Sequence, residues 1–494
     1  MNIVILGAGT AGLVTALMIR TKYPLAKITI IKSGDIGIVG VGEGSTEHWT
    51  QFMDFVGIDV VDLIYKTKAT VKIGILFKDW NTDSEYVHNV SVYSLSGLGR
   101  PEIYNHLYLN NIATKFPLSP HFEQTYYKNY VLHTSDLRPS NQYHFDTFKL
   151  NDYLTSKCSE REIQFIDTEV FDVMQDDNGN VTHLKTNQGV FSGDLFIDCS
   201  GFKRVISSKL GTKWISKADY LPMNRAIAFP TEHTDPKEIE PYTTATALSA
   251  GWSWRIPTQE RYGNGYVFNS NYISVDQALG EINNAHKCNV EKAARDIKFE
   301  AGKVDKFWVK NVICIGLSGS FAEPLEAQSI GFTIIQAKTL LNYLDSWLID
   351  NNVSSKYNEI MDSSFDNIVD YLQLHYLGNR NDSDFWRDKP FKLTDFIREN
   401  LLQFKSGVFD PNLFNKPDLM FTIANFYQVL AGLDLINKLT LAKSLDRFRF
   451  DYNKNNHEAA QQLATSKEFY VMKHYDYLKL INDNYLFKKA LNEN

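Results

Sequence analysis

Three glycines near the N-terminus have the spacing of a dinucleotide-binding turn. Gly7, Gly9 and Gly12 follow an apolar run at residues 3–6 and open a helix-forming stretch that includes Thr10 and Ala11. The first glycine permits a tight turn, the second lets a pyrophosphate approach the backbone, and the third lets helix pack on strand. Phosphates would meet free N–H groups at the positive end of this helix. We predict a dinucleotide cradle, the alternative being a glycine-rich helix start without a ligand.

A second glycine-rich stretch covers residues 37–45. Gly40, Val41, Gly42 and Glu43 form its centre, and this composition excludes a helix. We interpret it as a loop that passes close to the ligand, although a purely structural loop would have a similar composition. Where the second strand of such domains usually ends in an acidic residue that holds the ribose, this sequence has Lys32. That departure argues against NAD as the ligand, or requires another group such as Ser33 or Asp35 to hold the ribose.

Two further stretches carry candidate chemistry. A buried strand at residues 312–316 leads through a loop to a helix that starts near Ser329, which suits a flavin because a second helix N-terminus can lie beside the isoalloxazine. The candidate cofactor contacts in this stretch are Ser318, Gly319, Pro324 and Ile330. Upstream, Trp252 and Trp254 alternate on a predicted strand, so both indoles lie on one face. Two core tryptophans would produce the same pattern.

Composition limits the class of protein. A chain of 494 residues suggests two to four packing units, and its net charge of −7 without a basic block argues against nucleic-acid binding. The four cysteines are scattered, so neither a metal site nor a disulfide framework is indicated. No stretch is apolar enough to span a membrane, and no secretion signal is evident. We expect a cytoplasmic protein that acts on small molecules.

The periodicity predicts an α/β fold. We expect a Rossmann-like parallel sheet of the glutathione-reductase type, a second, antiparallel sheet region near residues 225–274, and a mainly helical C-terminal part. The predicted modules are a cofactor-binding unit at residues 1–345 and a helical substrate unit at residues 346–494. The irregular, aromatic residues 81–143 are interpreted as an insertion that contributes to the substrate side.

The combination of motifs resembles the flavin-dependent halogenases, in particular the branch related to the tryptophan halogenases. The signature Trp-x-Trp-x-Ile-Pro, formed by Trp252, Trp254, Ile256 and Pro257, separates these enzymes from ordinary flavin monooxygenases. The matching stretches occur in the family's order: residues 7–12, residues 40–43, Lys72 with Phe77 and Trp80, residues 198–202, residues 252–257, residues 321–326, and Phe385 with Trp386.

This resemblance implies a mechanism. In the family, FADH2 and O2 form a flavin C4a-hydroperoxide that oxidises a halide to hypohalous acid, which passes through a tunnel to a separate substrate chamber. Lys72 matches the lysine that faces the tunnel, and Glu326 matches the catalytic glutamate. The tryptophan pair would keep organic substrate away from the flavin. A separate NAD(P)H-dependent flavin reductase is the expected partner, since only one dinucleotide fingerprint is evident, and a homo-oligomer is left open.

Two regions depart from the family pattern. Ala327, Gln328 and Ser329 replace the usual Ser-Thr-Gly of the halide site, so we hypothesise that bromide or iodide is used at least as well as chloride, because desolvating a softer halide costs less. The substrate-chamber candidates also differ from those of free-tryptophan halogenases, which argues against free tryptophan and leaves a different aromatic, larger or phenolic, equally open. These candidates are His88, Val90, Phe385, Trp386, Phe426 and Tyr427.

The sequence therefore predicts a halogenase that acts on an electron-rich aromatic. The alternative is an FAD-dependent aromatic monooxygenase that hydroxylates its substrate directly, against which Trp252 and Trp254 argue. Taken without the resemblance, Lys72 would be interpreted as part of a solvated strand face. His375 would be interpreted as an interior histidine with satisfied hydrogen bonds, although it could line the chamber.

Overall fold

A computed structural model of the chain describes residues 1–34, 42–82, 84–89, 129–139, 142–293, 295–448 and 470–493. Helices within these residues are α1 (Thr10–Lys22), α2 (His48–Val56), α3 (Val60–Thr67), α4 (Thr147–Ser159), α5 (Val275–His286), α6 (Gln328–Trp347), α7 (Val353–His375), α8 (Asp384–Asp388), α9 (Asp395–Ser406), α10 (Ile423–Gly432), α11 (Lys438–Phe448) and α12 (His474–Glu493). None of them combines the length and apolar character that a membrane crossing requires.

The strands of the described residues belong to six sheets. They are β1 (Asn2–Leu6), β2 (Lys27–Lys32), β3 (Glu43–Gly44), β4 (Thr70–Lys72), β5 (Gly74–Lys78), β6 (Glu85–Asn89), β7 (Tyr130–His133), β8 (Gln142–Phe145), β9 (Gln164–Asp167), β10 (Val170–Gln175), β11 (Val181–Thr186), β12 (Gly189–Ser192), β13 (Leu195–Asp198), β14 (Trp214–Ser216), β15 (Arg225–Thr231), β16 (Thr243–Leu248), β17 (Gly251–Pro257), β18 (Tyr262–Phe268), β19 (Arg295–Lys298), β20 (Gly302–Val304), β21 (Trp308–Val309), β22 (Val312–Cys314), β23 (Ser320–Phe321) and β24 (Tyr470–Lys473).

A six-stranded sheet with the order β21-β22-β13-β1-β2-β9 forms the centre of the N-terminal half. Strand β1 lies inside it and pairs in parallel with β13 and β2. Its residues 3–6 are buried, as an apolar run on a parallel strand covered on both faces requires. Only β21 runs antiparallel to its neighbour. The predicted Rossmann-like parallel sheet is confirmed.

The glycines of the first turn are explained by close packing. Gly7 has a φ of +115°, and a Cβ atom there would lie 2.3 Å from the carbonyl oxygen of Cys199. A Cβ on Gly12 would lie 2.0 Å from the carbonyl oxygen of Gly7. Gly9, the N-cap of α1, has no side-chain cap and open space around the position of a Cβ. Two glycines therefore serve the turn itself, and the third leaves room above the helix N-terminus.

A seven-stranded, mostly antiparallel sheet with the order β19-β15-β18-β17-β16-β5-β6 confirms the expected second sheet region. Strand β17 carries Trp252 and Trp254, and the hairpin of β5 and β6 places Ile75 opposite His88. A small sheet, β3-β8-β4, brings Glu43 and Lys72 to opposite sides of β8. These two sheets contain candidate residues from separate parts of the chain, on β3, β4, β6 and β17.

The C-terminal part is mainly helical, as expected, but it also returns to the N-terminal half. Strand β24 pairs with β7, and α12 packs against α3. The proposed module boundary at residue 345 lies inside α6, two residues before that helix ends. Of the proposed insertion at residues 81–143, only residues 81–82, 84–89, 129–139 and 142–143 belong to the described parts of the chain.

The environments of Gly12 and Gly9 predict different losses of stability when each glycine is replaced by alanine. We expect Gly12→Ala to lower the free energy of unfolding by about 3 kcal/mol, because the atom facing the new Cβ is backbone and cannot move aside. Gly9→Ala should remain within about 1 kcal/mol of the parent. Urea unfolding of both variants measures the difference, and equal losses would contradict the packing described for the turn.

Candidate active site

Glu326 lies in the loop between β23 and α6 and is 2% exposed. Its carboxylate is held between two imidazole rings. His88 on β6 places Nδ1 2.7 Å from Oε2, and His375 at the C-terminal end of α7 places Nε2 2.9 Å from Oε1. Both histidines are also buried. Two residues 287 positions apart in the sequence therefore bracket one carboxylate.

A second group of polar side chains contacts the two histidines. The Tyr371 hydroxyl lies 3.3 Å from Oε1 of Glu326 and 3.2 Å from Nδ1 of His88. The Tyr86 hydroxyl lies 2.7 Å from Nδ1 of His375, and the Asn425 amide nitrogen lies 3.0 Å from Nε2 of His88. Every ring nitrogen of the two histidines therefore has a polar neighbour.

The electrostatics of Glu326 follow from this arrangement. Burial raises its pKa, but the charge that His88 carries when protonated and the contacts with both histidines lower the pKa by more, so the net shift is downward. The pKa of His375 is itself lowered by burial, against the opposing effect of Glu326. Glu326 is therefore an anion across the physiological pH range. Buried anions of this kind need fixed polar contacts, which are a hydrogen bond with His88 and an ion-pair contact with His375.

Lys72 is the last residue of β4 and is 1% exposed, so it does not belong to a solvated face. Its Nζ donates to the carbonyl oxygen of Ser45 at 3.0 Å. Burial lowers the pKa of Lys72 to about 8, while the charges of Glu326 and Glu47 oppose this effect. Lys72 and Glu326 thus act electrostatically on each other although they come from distant parts of the chain.

The tryptophan pair lies on β17, and the residues after Glu326 open α6. Trp252 and Trp254 are buried, with ring centroids 6.1 Å apart. The Gln328 amide nitrogen donates to the Glu323 carbonyl at 2.7 Å, while its buried Oε1 has no hydrogen-bond partner. Ala327 has a φ of +54° at the N-cap of α6, and Ser329 is exposed. Tyr376 donates to the Glu323 carboxylate at 2.6 Å.

The predicted cofactor segments meet at the start of α1. A Cβ on Gly316 would lie 2.6 Å from Cβ of Ala11, so the loop that carries Ser318 and Gly319 abuts the glycine turn. Ser318 is buried and donates to the Ile315 carbonyl at 3.0 Å, Pro324 is exposed, and Ile330 is buried. Glu43 has a pKa raised to about 7, chiefly by burial. Gly40 and Val41 fall outside the described residues.

The sequence matches the tryptophan halogenase family over residues 2–446. The chain belongs to the tryptophan halogenase family. Tryptophan 7-halogenase RebH of Lentzea aerocolonigenes is 29% identical over 478 residues, which cover 88% of this chain and 90% of that protein. The match spans both halves of the chain, so the family assignment extends beyond the cofactor-binding fold. This halogenase is therefore an enzyme of the flavin-dependent oxidoreductases.

Solved structures agree with the family assignment of this halogenase. A tryptophan halogenase from Shewanella frigidimarina covers 98% of both chains with a TM-score of 0.86 at 24% identity, which shows the shared fold. Xcc4156, a flavin-dependent halogenase from Xanthomonas campestris, has a TM-score of 0.81 at 25% identity and covers 97% of this chain and 98% of its own. The fold predicted from the sequence is confirmed over nearly the whole length.

The chamber candidates of this halogenase are all buried where the structure describes them. Phe385 and Trp386 lie on α8, and the Trp386 indole donates to the Leu248 carbonyl at 2.7 Å. Phe426 and Tyr427 lie on α10, and Phe426 packs against Tyr371 with ring centroids 5.3 Å apart. These candidates remain predictions, and Val90 falls outside the described residues.

Sequence reasoning missed most of the polar cluster around Glu326 in this halogenase. Tyr86 and His88 are two residues apart on a strand, and Tyr371 and His375 are four apart on a helix, so each pair shares a face. Those spacings were a usable signal. Asn425 carried no such signal, because its approach to His88 depends on how α10 packs on β6.

The buried ammonium of Lys72 predicts a pH effect on the stability of this halogenase. With a pKa of about 8, the folded state loses this proton before the unfolded chain, whose lysine has a pKa of 10.5. The unfolding free energy of the parent should therefore rise relative to Lys72→Met between about pH 8 and pH 10.5, by up to roughly 3 kcal/mol. Urea unfolding of both proteins across this range measures it, and a constant difference would contradict the assignment.

Proposed function

We propose that this protein halogenates an electron-rich aromatic compound, an indole or a phenol, with FADH2, O2 and a halide as co-substrates. The observation that carries the proposal is the pairing of a buried ammonium, Lys72, with a buried carboxylate, Glu326, that acts on its pKa. Lys72 donates hydrogen bonds to an oxidised halogen species, and Glu326 stabilises the positive charge that develops on the aromatic ring and accepts its proton. The relatives' names, such as tryptophan 7-halogenase, make tryptophan itself one member of the substrate panel.

We propose that the glycine turn holds FAD. The uncapped N-terminus of α1 and the open space at Gly9 fit a pyrophosphate, since free N–H groups at a helix start attract anions. Thr10, Ala11 and Gly12 would line this end, and Gly42, Glu43, Ser318, Gly319, Pro324 and Ile330 the other cofactor contacts. When bound and reduced, the flavin supplies with O2 the oxidising equivalent that turns a halide into hypohalous acid. A separate flavin reductase delivers FADH2.

Lys72 offers donors to the oxidised halogen species. An ammonium carries three N–H bonds, and the Ser45 carbonyl accepts one of them. Two remain for the oxygen of hypohalous acid. Because Nζ is buried, these hydrogen bonds form in a low-dielectric environment where they are strong.

Glu326 supplies a fixed negative charge. Addition of a halogen to an aromatic ring leaves a cation on the ring, and a nearby carboxylate stabilises that charge and accepts the proton that leaves. Its low pKa keeps Glu326 in the anionic form that this role requires. Trp252 and Trp254 form an aromatic wall that we assign to keeping organic substrate from the flavin. The His88 and Tyr86 segment, part of the proposed insertion, contributes to the substrate side.

Lys72→Ala should abolish halogenation while FADH2 oxidation continues, because the variant removes the donor to hypohalous acid and leaves the cofactor cradle intact. Lys78→Ala, on the neighbouring strand β5, is the matched control and should retain both activities. The assay supplies reduced FAD, O2 and halide to a panel of indoles and phenols and identifies products by mass. Halogenation by Lys72→Ala would refute the proposed role, and hydroxylated products without halogen would favour the alternative aromatic monooxygenase.

We further propose that bromide or iodide is used at least as well as chloride. Ala327 offers no hydroxyl, and the free Oε1 of Gln328 is an acceptor, so the halide site proposed at residues 327–329 has few donors. A weakly hydrated halide loses less on entering such a site.

Equimolar chloride and bromide in competition should therefore give mainly brominated product. Gln328→Thr, which replaces the amide by a hydroxyl donor, should shift the product ratio towards chloride, with Lys78→Ala again as the unaffected control. A parent enzyme that prefers chloride would overturn the halide proposal without affecting the roles of Lys72 and Glu326.

A further inference from the structure

The side-chain amide of Asn425 is fixed in orientation by a helix cap. Asn425 is the third residue of α10, and its Oδ1 accepts hydrogen bonds from the backbone N–H of Thr422 at 2.8 Å and from the Thr422 hydroxyl at 2.9 Å. This is one half of a capping box, which satisfies an otherwise unpaired donor at the helix start. The oxygen is committed to the cap, so the amide nitrogen must point the other way, towards His88.

That orientation determines the tautomer of His88. The Asn425 amide nitrogen is only a donor, and it lies 3.0 Å from Nε2 of His88, so Nε2 must accept. A neutral imidazole that accepts at one nitrogen carries its hydrogen on the other. Nδ1 therefore carries the N–H, and it faces Oε2 of Glu326 at 2.7 Å. A helix cap thus acts through one amide and one imidazole on the carboxylate.

His375 is fixed in the complementary way. Its Nε2 lies 2.9 Å from Oε1 of Glu326 in an ion-pair contact that lacks the direction of a hydrogen bond, and a carboxylate at that distance favours the hydrogen on Nε2. Burial lowers the pKa of His375, so the ring is neutral and its Nδ1 is an acceptor for the Tyr86 hydroxyl at 2.7 Å. Tyr86 is held in place by stacking on Phe77, with ring centroids 4.8 Å apart. The two histidines therefore present opposite tautomers to the two oxygens of one carboxylate.

We infer that Asn425 and Tyr86 are positioning residues that set the tautomers of His88 and His375, so that neutral His88 donates one N–H to Glu326 and neutral His375 turns its N–H nitrogen towards the same carboxylate. The carboxylate is held in one orientation by donors that carry no net charge. Its negative charge is then not cancelled by an adjacent imidazolium, and remains available to Lys72 and to a cationic ring. Among the residues that the structure describes, Tyr371 is the other titratable group within hydrogen-bond distance of Glu326.

Asn425→Asp separates this role from the helix cap. The variant keeps an oxygen for Thr422, since a carboxylate also serves in a capping box, but replaces the donor to His88 by an acceptor. His88 would then carry its hydrogen on Nε2 or become an imidazolium, and Glu326 would lose a neutral donor or gain a cation. We expect kcat to fall by roughly tenfold to 100-fold with little change in KM.

Gln277→Glu is the matched control. Gln277 occupies the same position of the capping box on α5, where its Oε1 accepts from the Ser274 backbone N–H at 2.8 Å. Gln277→Glu makes the same amide-to-carboxylate change at a site that does not contact Glu326, and the kcat and KM of this variant should equal those of the parent. Tyr86→Phe is the second test variant, because it keeps the ring on Phe77 and removes only the hydroxyl that donates to His375. It should show a similar loss in kcat.

A second readout needs neither flavin nor halide, so it does not rest on the proposed function as the kinetic readout does. ¹⁵N NMR of protein with labelled histidine rings distinguishes an N–H nitrogen from an acceptor nitrogen, and His88→Gln identifies the signals of His88. In the parent we expect His88 protonated on Nδ1 alone, and in Asn425→Asp we expect a proton on Nε2.

A parent spectrum with the His88 hydrogen on Nε2 would overturn the inference, whatever the variants do. Unchanged kcat in both Asn425→Asp and Tyr86→Phe would also overturn it. If the tautomers are as expected but Glu326→Gln still halogenates, the proposed role of Glu326 fails while the assignment of the tautomers stands.

Discussion

A single buried carboxylate imposes the main constraint on this structure. Glu326 is 2% exposed and anionic, and an ion in that position is stable only if hydrogen-bond donors are fixed around it. The imidazoles that contact Glu326 come from β6 and α7, so both elements must pack against the loop that carries it. The polar cluster therefore connects the seven-stranded sheet to the C-terminal helices. Removing the two histidines would leave the buried charge of Glu326 without these contacts.

The two candidate catalytic residues depend on each other through charge. Burial lowers the pKa of Lys72, and the negative charge of Glu326 opposes that effect. An imidazolium beside Glu326 would weaken this support, whereas two neutral imidazoles preserve it. Two neutral imidazoles leave Glu326 its full negative charge, and that charge helps Lys72 to stay protonated in an interior that disfavours charge. The tautomers of the histidines beside Glu326 therefore influence the protonation of Lys72, which lies on another strand.

Much of the fold could be predicted from the sequence, because the periodicity of apolar residues indicates strands and helices and the spacing of the glycines indicates the first turn. The first turn, the parallel strand β1 and the tryptophan pair on β17 follow from local pattern alone. Lys72 could not be placed in the same way, since a lysine on a short strand gives no sign of burial, and only the family resemblance indicated its importance. The approach of Asn425 to His88 depends on the packing of α10 against β6, which no local pattern encodes.

The proposed flavin contacts and Lys72 come together at a strand of two residues. On β3, Glu43 belongs to the proposed flavin contacts, and a Cβ on its neighbour Gly44 would lie 3.3 Å from Nζ of Lys72 and 3.0 Å from Cβ of Ala327. The absence of a side chain on Gly44 therefore keeps space beside the ammonium, and the small side chain of Ala327 borders the same space. A hydroxyl at position 327 would compete for donors and volume there. The small side chain at position 327 and the burial of Lys72 are thus parts of one local arrangement, and under the roles proposed for them this arrangement would link the choice of halide to the group that receives the oxidised halogen.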